Sequence, residues 1–295
     1  MRLVTRADLD GLTCAVLLQE VEKIESVEFA HPKDVQDGKV PLTSNDILAN
    51  LPHDDRAGLW FDHHLSQADH AAPGNFKGAY SIAPSAARVI AEHYRHPSFE
   101  RHKKLLEETD RMDAALLKED DVLAPAGWIL LGYTLDPRTG LGAFRDYFTH
   151  VMNMCRTQTI EEILADPQVK ERVDRVLSEE KAFLAHLREV SKLDKNVVIT
   201  DVRGQKNQPT GNRFLIYTLY PAANVSVRIA DGKAGEFISI QVGHSIFNRT
   251  CKTNVGELMH TLGGGGHLGA GTCQPKPADA EKAIGEIIET LKKNG

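Results

Sequence analysis

The sequence lacks what a membrane protein or a disulfide scaffold needs. Its 295 residues contain no run of about 18 consecutive apolar residues, so no membrane-spanning helix is predicted. Cysteine is scarce, and Cys14, Cys155, Cys251 and Cys273 lie far apart with no Cys-x-x-Cys pair. That excludes a disulfide framework or a zinc knuckle and predicts a reducing, cytoplasmic setting. The opening MRLVTRADLDG reaches Asp8 and Asp10 before any apolar stretch, so no secretory leader is expected. A basic excess is also missing. The net charge is −6, whereas proteins that track long duplexes are usually basic, so long nucleic acid is not the expected partner.

What is present suits a globular protein. Hydrophobic residues make up 41% and charged residues 26%, which argues against disorder. At about 150 residues per domain, the length predicts roughly two domains. Charge is unevenly spread. From Lys195 to Gly295 there are 12 Lys+Arg against 8 Asp+Glu, which leaves 23 against 33 for the rest. An acidic first part can hold cations and a mildly basic last part can hold phosphates; solvated charge on both faces explains the same numbers.

The pattern predicts an α/β fold. Arg2–Thr5 reads as a buried strand, followed by an acidic turn and a helix over 12–24. Strands are also expected at 47–49, ending at Asn50, and at 58–61, ending at Asp62-His63-His64. Residues 84–95 read as a helix, with Ala86, Val89, Ile90, His93 and Tyr94 at helical spacing. Strands alternating with helices favour a parallel sheet, whose chemistry lies at the carboxyl ends of its strands. Residues 161–193 read as a polar helical connector, with a domain boundary near residue 190. Beyond it, 197–200, 214–219, 225–229 and 237–242 are β-branched and aromatic and read as strands, and 279–293 as a closing amphipathic helix. Trp60 and Trp128 are expected in the core, and His93, His96 and His102 as ordinary helix or surface residues.

Four constellations carry candidate chemistry. Asp8-x-Asp10-Gly11 puts two carboxylates at a strand end, with a glycine that permits a tight turn; Asp8 equally suits a helix N-cap. Asp62-His63-His64 offers three consecutive ligands, and mixed oxygen and imidazole donors suit manganese, iron or zinc. Asp110-Arg111-Met112-Asp113 follows the helical stretch 100–108 and suits a salt-bridged helix face as well as a site. Gly263–Gly266 with His267 lets a backbone approach a ligand, and successive N–H groups in such a loop make an anion nest. Weaker signals are Arg138, in the turn Asp136–Gly140, and Gly243-His244-Ser245 as a pocket lining.

Together these pieces, in this order, resemble the DHH phosphoesterases with their DHH-associated C-terminal domain. The matching residues are Asp8-Leu9-Asp10-Gly11, the namesake Asp62-His63-His64, Asp110, and Gly264-Gly265-Gly266-His267 followed by Gly269-Ala270-Gly271. The likeness spans nearly the whole chain and is greatest to the exopolyphosphatase-related and nano-RNase-like proteins. It implies a parallel-sheet metal-binding domain over 1–160, a helical linker over 161–193 and a smaller α/β substrate-binding domain over 194–295, with a cleft between the domains. It implies Mn2+, or Mg2+ or another divalent ion, at one or two positions held by Asp8, Asp10, Asp62, His64 and Asp110. Asp62, His63 and His64 would carry the catalytic role. Arg228 and Gly264, Gly265, Gly266 and His267 would grip the substrate. The implied activity is hydrolysis of a short phosphorylated substrate by metal-activated water: an oligoribonucleotide, a nucleoside bisphosphate or a cyclic dinucleotide. Polyphosphate or pyrophosphate hydrolysis is the alternative. A small phosphorylated molecule or a short single-stranded oligonucleotide is the expected partner, with no membrane; a homodimer is compatible with the pattern.

Two positions depart from the family pattern. Arg6 stands where the family usually has His, and the best candidate for its second-strand Asp is Asn50. A neutral amide and a permanent cation both weaken the hold on two dications. One metal, a rearranged pair, or a nucleotide-binding protein without catalysis are the outcomes this leaves open, with Arg6 and Asn50 turned toward substrate.

Overall fold

The computed structural model describes residues 1–71, 76–135, 144–209 and 211–294. The turn around Arg138 lies outside the described residues. The chain forms two compact units, Met1–Leu117 with Ala124–Val176, and Lys118–Leu123 with Leu177–Gly295.

The first unit opens with β1 (Arg2–Thr5), α1 (Leu9–Val21), β2 (Ser26–Phe29), α2 (Pro32–Gln36), β3 (Asp46–Ala49), β4 (Leu59–Asp62) and β5 (Gly78–Tyr80). All five strands are parallel, in the order β2-β1-β3-β4-β5, as the alternating pattern predicts. The middles of β1, β3 and β4 are apolar because both faces are covered, whereas the edge strand β2 carries Ser26 and Glu28 and is partly exposed. Leu3, Ile47, Ala49 and Phe61 enter a core with α1, while Val4, Leu48 and Trp60 enter another with Val35 and Leu51. Helix α1 is buried from Leu9 to Leu18, which explains its apolar residues on every side. The pairings Thr5↔Ala49, Ala49↔Phe61 and Asp62↔Tyr80 bring the turns after β1, β3 and β4 to one edge of the sheet. Between β1 and β3 the strand order reverses, the point at which open α/β sheets bind ligands.

Helices complete the unit. Ser85 caps α3 (Ala86–Tyr94), its Oγ accepting from the Arg88 N–H at 3.0 Å. A 3-10 turn, Pro97–His102, leads into α4 (Lys103–Asp113), so Asp110 and Asp113 belong to a helix end rather than to a segment after it. Then come α5 (Glu119–Leu123), which joins the second unit, and α6 (Gly127–Thr134), α7 (Phe144–Cys155), α8 (Ile160–Ala165) and α9 (Pro167–Val190). The division between the units falls inside α9.

The second unit contains β6 (Ser191–Asp194), β7 (Val197–Asp201), α10 (Leu215–Leu219), β8 (Val225–Asp231), β9 (Ile238–His244), α11 (Val255–Thr261), β10 (Gly265–His267), β11 (Ala270–Cys273) and α12 (Pro277–Lys293). They build a mixed six-stranded sheet, ordered β10-β11-β9-β8-β7-β6. Val225, Val227 and Ile229 of β8 and Ile238, Ile240 and Val242 of β9 pack on Ile284, Ile287 and Leu291 of α12. The alternate residues point to the opposite face.

Two expectations fail here for physical reasons. Residues 214–219 form a helix rather than a strand. The Asn212 side chain accepts from the Phe214 N–H at 3.0 Å, and its carbonyl accepts from Leu215 N–H at 3.1 Å, which starts a helical turn. So short an apolar run carries no period to distinguish the two. The glycine run is not wholly a loop, because Gly265 and Gly266 belong to β10. Among the described residues no helix is long and apolar enough to cross a membrane.

Candidate active site

The site begins where β1 meets α1. Asp8 caps the helix, its Oδ1 accepting from Gly11 N–H at 2.9 Å. Gly11 has no alternative, since a Cβ there would sit 1.9 Å from the Arg6 carbonyl oxygen. Asp10 is buried in the first turn. Its two oxygens accept from the N–H groups of Ala86 and Ala87, each at 2.9 Å, where α3 begins. Helix starts favour anions. Burial nevertheless raises the Asp10 carboxyl to about 6, with His63 pulling it down and Asp8 pushing it up.

Strand β4 delivers the next cluster. Asp62 is wholly buried, and its Oδ1 lies 2.6 Å from His64 Nδ1. Asp62 Oδ2 is buried with no hydrogen-bond partner among the described residues. His63 Nδ1 lies 3.0 Å from the Ala83 carbonyl. A carbonyl only accepts, so Nδ1 carries the proton and the neutral ring keeps a lone pair on Nε2. That Nε2 lies 3.2 Å from Asp113 Oδ2 and 3.9 Å from Asp10 Oδ2. Burial pulls the His63 pKa down, but Asp113 and Asp10 outweigh it and the net shift is upward. Asp113, whose side chain stays 27% exposed, rises to about 7 through partial loss of water around its carboxyl and the facing Asp10, with His63 pulling it down.

Two overlapping triads result, Asp62-His63-His64 and Asp10-His63-Asp113. In each, the ligand atoms lie within 4.8 Å of one another. His63 belongs to both. The donors are carboxylates and imidazoles, and among the described residues the buried Asp62 Oδ2 and His63 Nε2 have no hydrogen-bond partner. This set fits a borderline divalent cation.

Asp110 and Asp8 stand outside both triads. Asp110 accepts from Ser85 Oγ at 2.6 Å and from Arg88 through Nε, at 2.9 Å, and Nη2, so it ties α4 to α3. The segment Asp110-Arg111-Met112-Asp113 points to Asp110 as the ligand in the sequence, whereas the structure places Asp113 beside His63 and Asp10. The signal was there, since three residues further along a helix is the same face, one turn on. Asp8 is held by the chain itself. Asn50 Nδ2 donates to its Oδ1 at 3.2 Å, and Arg6 Nε lies 3.3 Å from its Oδ2. Asn50 is buried, with φ 57, a left-handed conformation that Asn tolerates better than most residues. The two departures from the family pattern thus converge on one carboxylate.

The second unit presents its own candidates on one sheet face. Arg228 on β8 pairs with Gln241 on β9, Gln241 with Thr272 on β11, and Thr272 with Gly265 on β10. Arg228 Nη2 donates to Gln208 Oε1 at 2.9 Å. Gln241 and Thr272 were not anticipated, because only strand register reveals them. The glycines differ in purpose. A Cβ at Gly264 would meet the Thr272 carbonyl at 2.1 Å, and one at Gly266 the Ala270 carbonyl at 2.2 Å. At Gly265 it would meet nothing within 4 Å, so the fold does not require glycine there. His267 closes β10 opposite Ala270. His244 braces this region, with Nε2 2.9 Å from the Thr253 carbonyl and its N–H donating to the Gly269 carbonyl.

Comparison with known proteins supplies the remaining identification. No family model and no curated protein matches the chain. Among solved structures, it is similar to the pGpG-specific phosphodiesterase PggH from Vibrio cholerae, at 42% identity over 100% of this chain and 99% of that one, with TM-score 0.79. It is similar to the DHH domain of a member of a ribosomal-protein family, at 14% identity over 99% and 87%, with TM-score 0.60. RecJ from Thermus thermophilus, solved with Mg2+ and with Mn2+, shares 13% and 12% identity over 99% of this chain and 50% and 52% of that one, with TM-scores 0.51 and 0.50. The last two likenesses concern the fold alone. The first, full-length and at this identity, shows the family: the chain belongs to the DHH phosphoesterases, which are metal-dependent phosphoric ester hydrolases.

Proposed function

We propose that this protein hydrolyses pGpG and similar short 5′-phosphorylated oligonucleotides to mononucleotides, using Mn2+ or Mg2+. The observation that carries this reading is the pair of triads sharing His63 at the carboxyl edge of a parallel sheet. The similarity to a pGpG-specific phosphodiesterase supports the substrate class and favours the enzymatic reading over a non-catalytic one. The imidazole donors favour Mn2+ over Mg2+. Unpaired thiols at all four cysteines support the cytoplasmic setting.

Asp10, Asp62, His63, His64 and Asp113 are the residues that would hold the metal. A divalent ion there supplies Lewis-acid polarisation of the phosphoryl group and lowers the pKa of water. The chain's own contributions are positional. Ala83 fixes the His63 tautomer, the start of α3 fixes Asp10, and Asp62 orients His64 through Nδ1. Arg6 adds a guanidinium beside Asp8 that suits a substrate phosphate. In the second unit, Arg228 offers a further guanidinium, and Gly265 leaves room for a ligand beside Thr272.

The test is turnover of pGpG by purified protein with Mn2+, read as released mononucleotide. Activity should vanish with chelator and in Asp62→Ala. No release with either Mn2+ or Mg2+ would defeat the proposal. For the second unit, Gly265→Ala should leave Tm unchanged and raise KM several-fold; an unchanged KM would remove Gly265 from the substrate surface.

A further inference from the structure

Cys251 stands apart from the other cysteines. Cys14, Cys155 and Cys273 are buried, and burial raises each thiol above its ordinary value, Cys155 to about 12 and Cys273 to about 11. Cys251 lies partly exposed in the loop between β9 and α11. Burial pushes its thiol up as well, but hydrogen bonds with His244 and with the Thr253 N–H outweigh burial, and the net shift is downward. His244 ends β9, with Nε2 2.9 Å from the Thr253 carbonyl. A carbonyl only accepts, so Nε2 carries a proton and Nδ1 is left to take one from the thiol. The hydrogen bond to Cys251 raises the His244 pKa in turn. Thr253 is 6% exposed, and its buried Oγ1 has no partner other than the Cys251 sulfur among the described residues. A thiol beside an imidazole is activated as a nucleophile, and an oxygen bonded to this sulfur would find the Thr253 hydroxyl as a donor already in place.

The same loop is tied to the glycine hairpin. His244 N–H donates to the Gly269 carbonyl at 2.7 Å, and Val255 N–H to the Leu268 carbonyl at 2.9 Å. A Cβ at Gly256 would lie 2.8 Å from the Gly266 carbonyl oxygen, so the start of α11 packs directly on β10. Residues on both sides of Cys251 therefore hold the segment Gly264–Gly269, and a group added at the sulfur, between His244 and Thr253, acts on those ties.

We propose that Cys251 is a modification site for hydroperoxides, and that its oxidation weakens the hold of the hairpin Gly264–Gly269 on substrate. The sulfur attacks one peroxide oxygen. An S–O bond forms, the O–O bond breaks, and the leaving hydroxide or alkoxide takes the proton that the thiol passed to His244. Sulfur loses two electrons to give a sulfenic acid, and the peroxide is reduced to water or an alcohol. The effect on substrate rests on the function proposed above; the reactivity of the thiol does not.

Hydrogen peroxide is the probe, at limiting concentration on chelator-treated full-length protein. Dimedone trapping followed by peptide mass spectrometry should find the adduct on Cys251 about tenfold or more ahead of Cys14, Cys155 and Cys273. His244→Gln should slow trapping at Cys251 severalfold. If that change disturbs folding, which would expose all four thiols alike, Thr253→Val should still slow it. Trapping that favours another cysteine, or that is indifferent to both substitutions, would overturn the site. These measurements involve no turnover, so their failure is distinct from failure to cleave pGpG. For the coupling, pGpG is titrated calorimetrically into the metal-free protein before and after peroxide treatment. Its affinity should fall severalfold on oxidation and recover with dithiothreitol. Cys251→Ala should bind pGpG as the untreated parent does and show no response to peroxide. Unchanged affinity in the fully oxidised parent, or an equal loss in Cys251→Ala, would overturn the coupling and leave the thiol assignment to the trapping result.

Discussion

Asp8 and Asp10 follow the same strand, two residues apart, yet sit in opposite electrostatic surroundings. Asp8 has a cation of the chain's own beside it, Arg6 at 3.3 Å, and an amide donor in Asn50. Asp10 faces another carboxylate, Asp113, with His63 between them and no Lys or Arg among the groups that shift either one. Two carboxylates held close together with reduced access to water are costly to ionise, and this raises both, to about 6 and about 7. The difference is what the proposed metal position rests on. A corner already neutralised has no need of a dication, whereas the Asp10 corner gains from one. Arg6 and Asn50 thus offset at Asp8 a charge that has no such cation at Asp10.

Replacing Asp113 tests that contrast most severely. Asp113→Asn should lower Mn2+ affinity by about a hundredfold or more, since even outer-shell partners cost about 10–100-fold. Without metal, the same variant should be as stable as the parent at pH 8 or more so, because a disfavoured charge has gone. Asp110→Asn should do the reverse. It leaves Arg88 without its carboxylate and lowers stability by about 1–3 kcal/mol, with Mn2+ affinity nearly intact. Metal titration and thermal melts of both proteins decide the matter. If Asp110→Asn abolished metal binding and Asp113→Asn spared it, the assignment would be inverted.

Asn50→Asp is next in size. The new carboxylate would lie where an amide now donates to Asp8 at 3.2 Å. Two adjacent carboxylates repel, so the metal-free protein should lose about 1–3 kcal/mol, and Mn2+ affinity should rise by roughly tenfold. The readout is the difference between melting temperatures with and without Mn2+, which should widen relative to the parent. An unchanged difference would mean that residue 50 does not face the ion.

The pH dependence should bear the mark of the Asp10 corner. Asp10 and Asp113 have folded pKa values above their unfolded ones, near 4 for a free carboxyl. Their contribution is therefore fully present below about pH 4 and is lost as pH rises through about 6 and 7. His63 is also raised, and its contribution likewise fades as pH rises above the ordinary histidine range. The metal-free protein should thus lose stability from the two carboxyls between about pH 4 and 7, on the order of a few kcal/mol, with His63 extending the loss above the ordinary histidine range. Metal must displace those protons, so stabilisation by Mn2+ should grow over the same interval. Melting curves at several pH values, with and without Mn2+, measure both slopes. A Mn2+ effect that is flat with pH would place the ion elsewhere.

The sequence shows the first unit more clearly than the second. Turns after β1 and β4 carry their chemistry as consecutive residues, so Asp8, Asp10 and Asp62–His64 stand out without coordinates. Asp113 does not, because three ionic residues near a helix end look alike until their neighbours are known; Arg88 and Ser85, more than twenty residues away, decide which aspartate is left for the site. Arg6 and Asn50 were visible as departures, but not as partners of one carboxylate, since that contact joins the turns after β1 and β3. In the second unit the relevant face is defined by pairing. Arg228, Gln241, Thr272 and Gly265 are scattered in sequence and fall in one row only through strand register. Residues 214–219 were misread for a related reason, because a short apolar stretch takes its conformation from what caps it.

Arg6→Gln gives the smallest expected effect and the finest test of the contrast. Its guanidinium is partly exposed, at 39%, so water and salt screen its repulsion of a nearby dication. Removing it should raise Mn2+ affinity only about two- to fivefold, corresponding to roughly 0.5–1 kcal/mol. The gain should shrink as ionic strength rises, because an exposed charge is what has been removed. KM for pGpG should move the other way and increase, because a phosphate-facing cation has been lost. A gain in Mn2+ affinity with unchanged KM would confine Arg6 to balancing Asp8. An increase in KM with unchanged Mn2+ affinity would instead make it a substrate residue, with Asp8 too distant from the ion to matter.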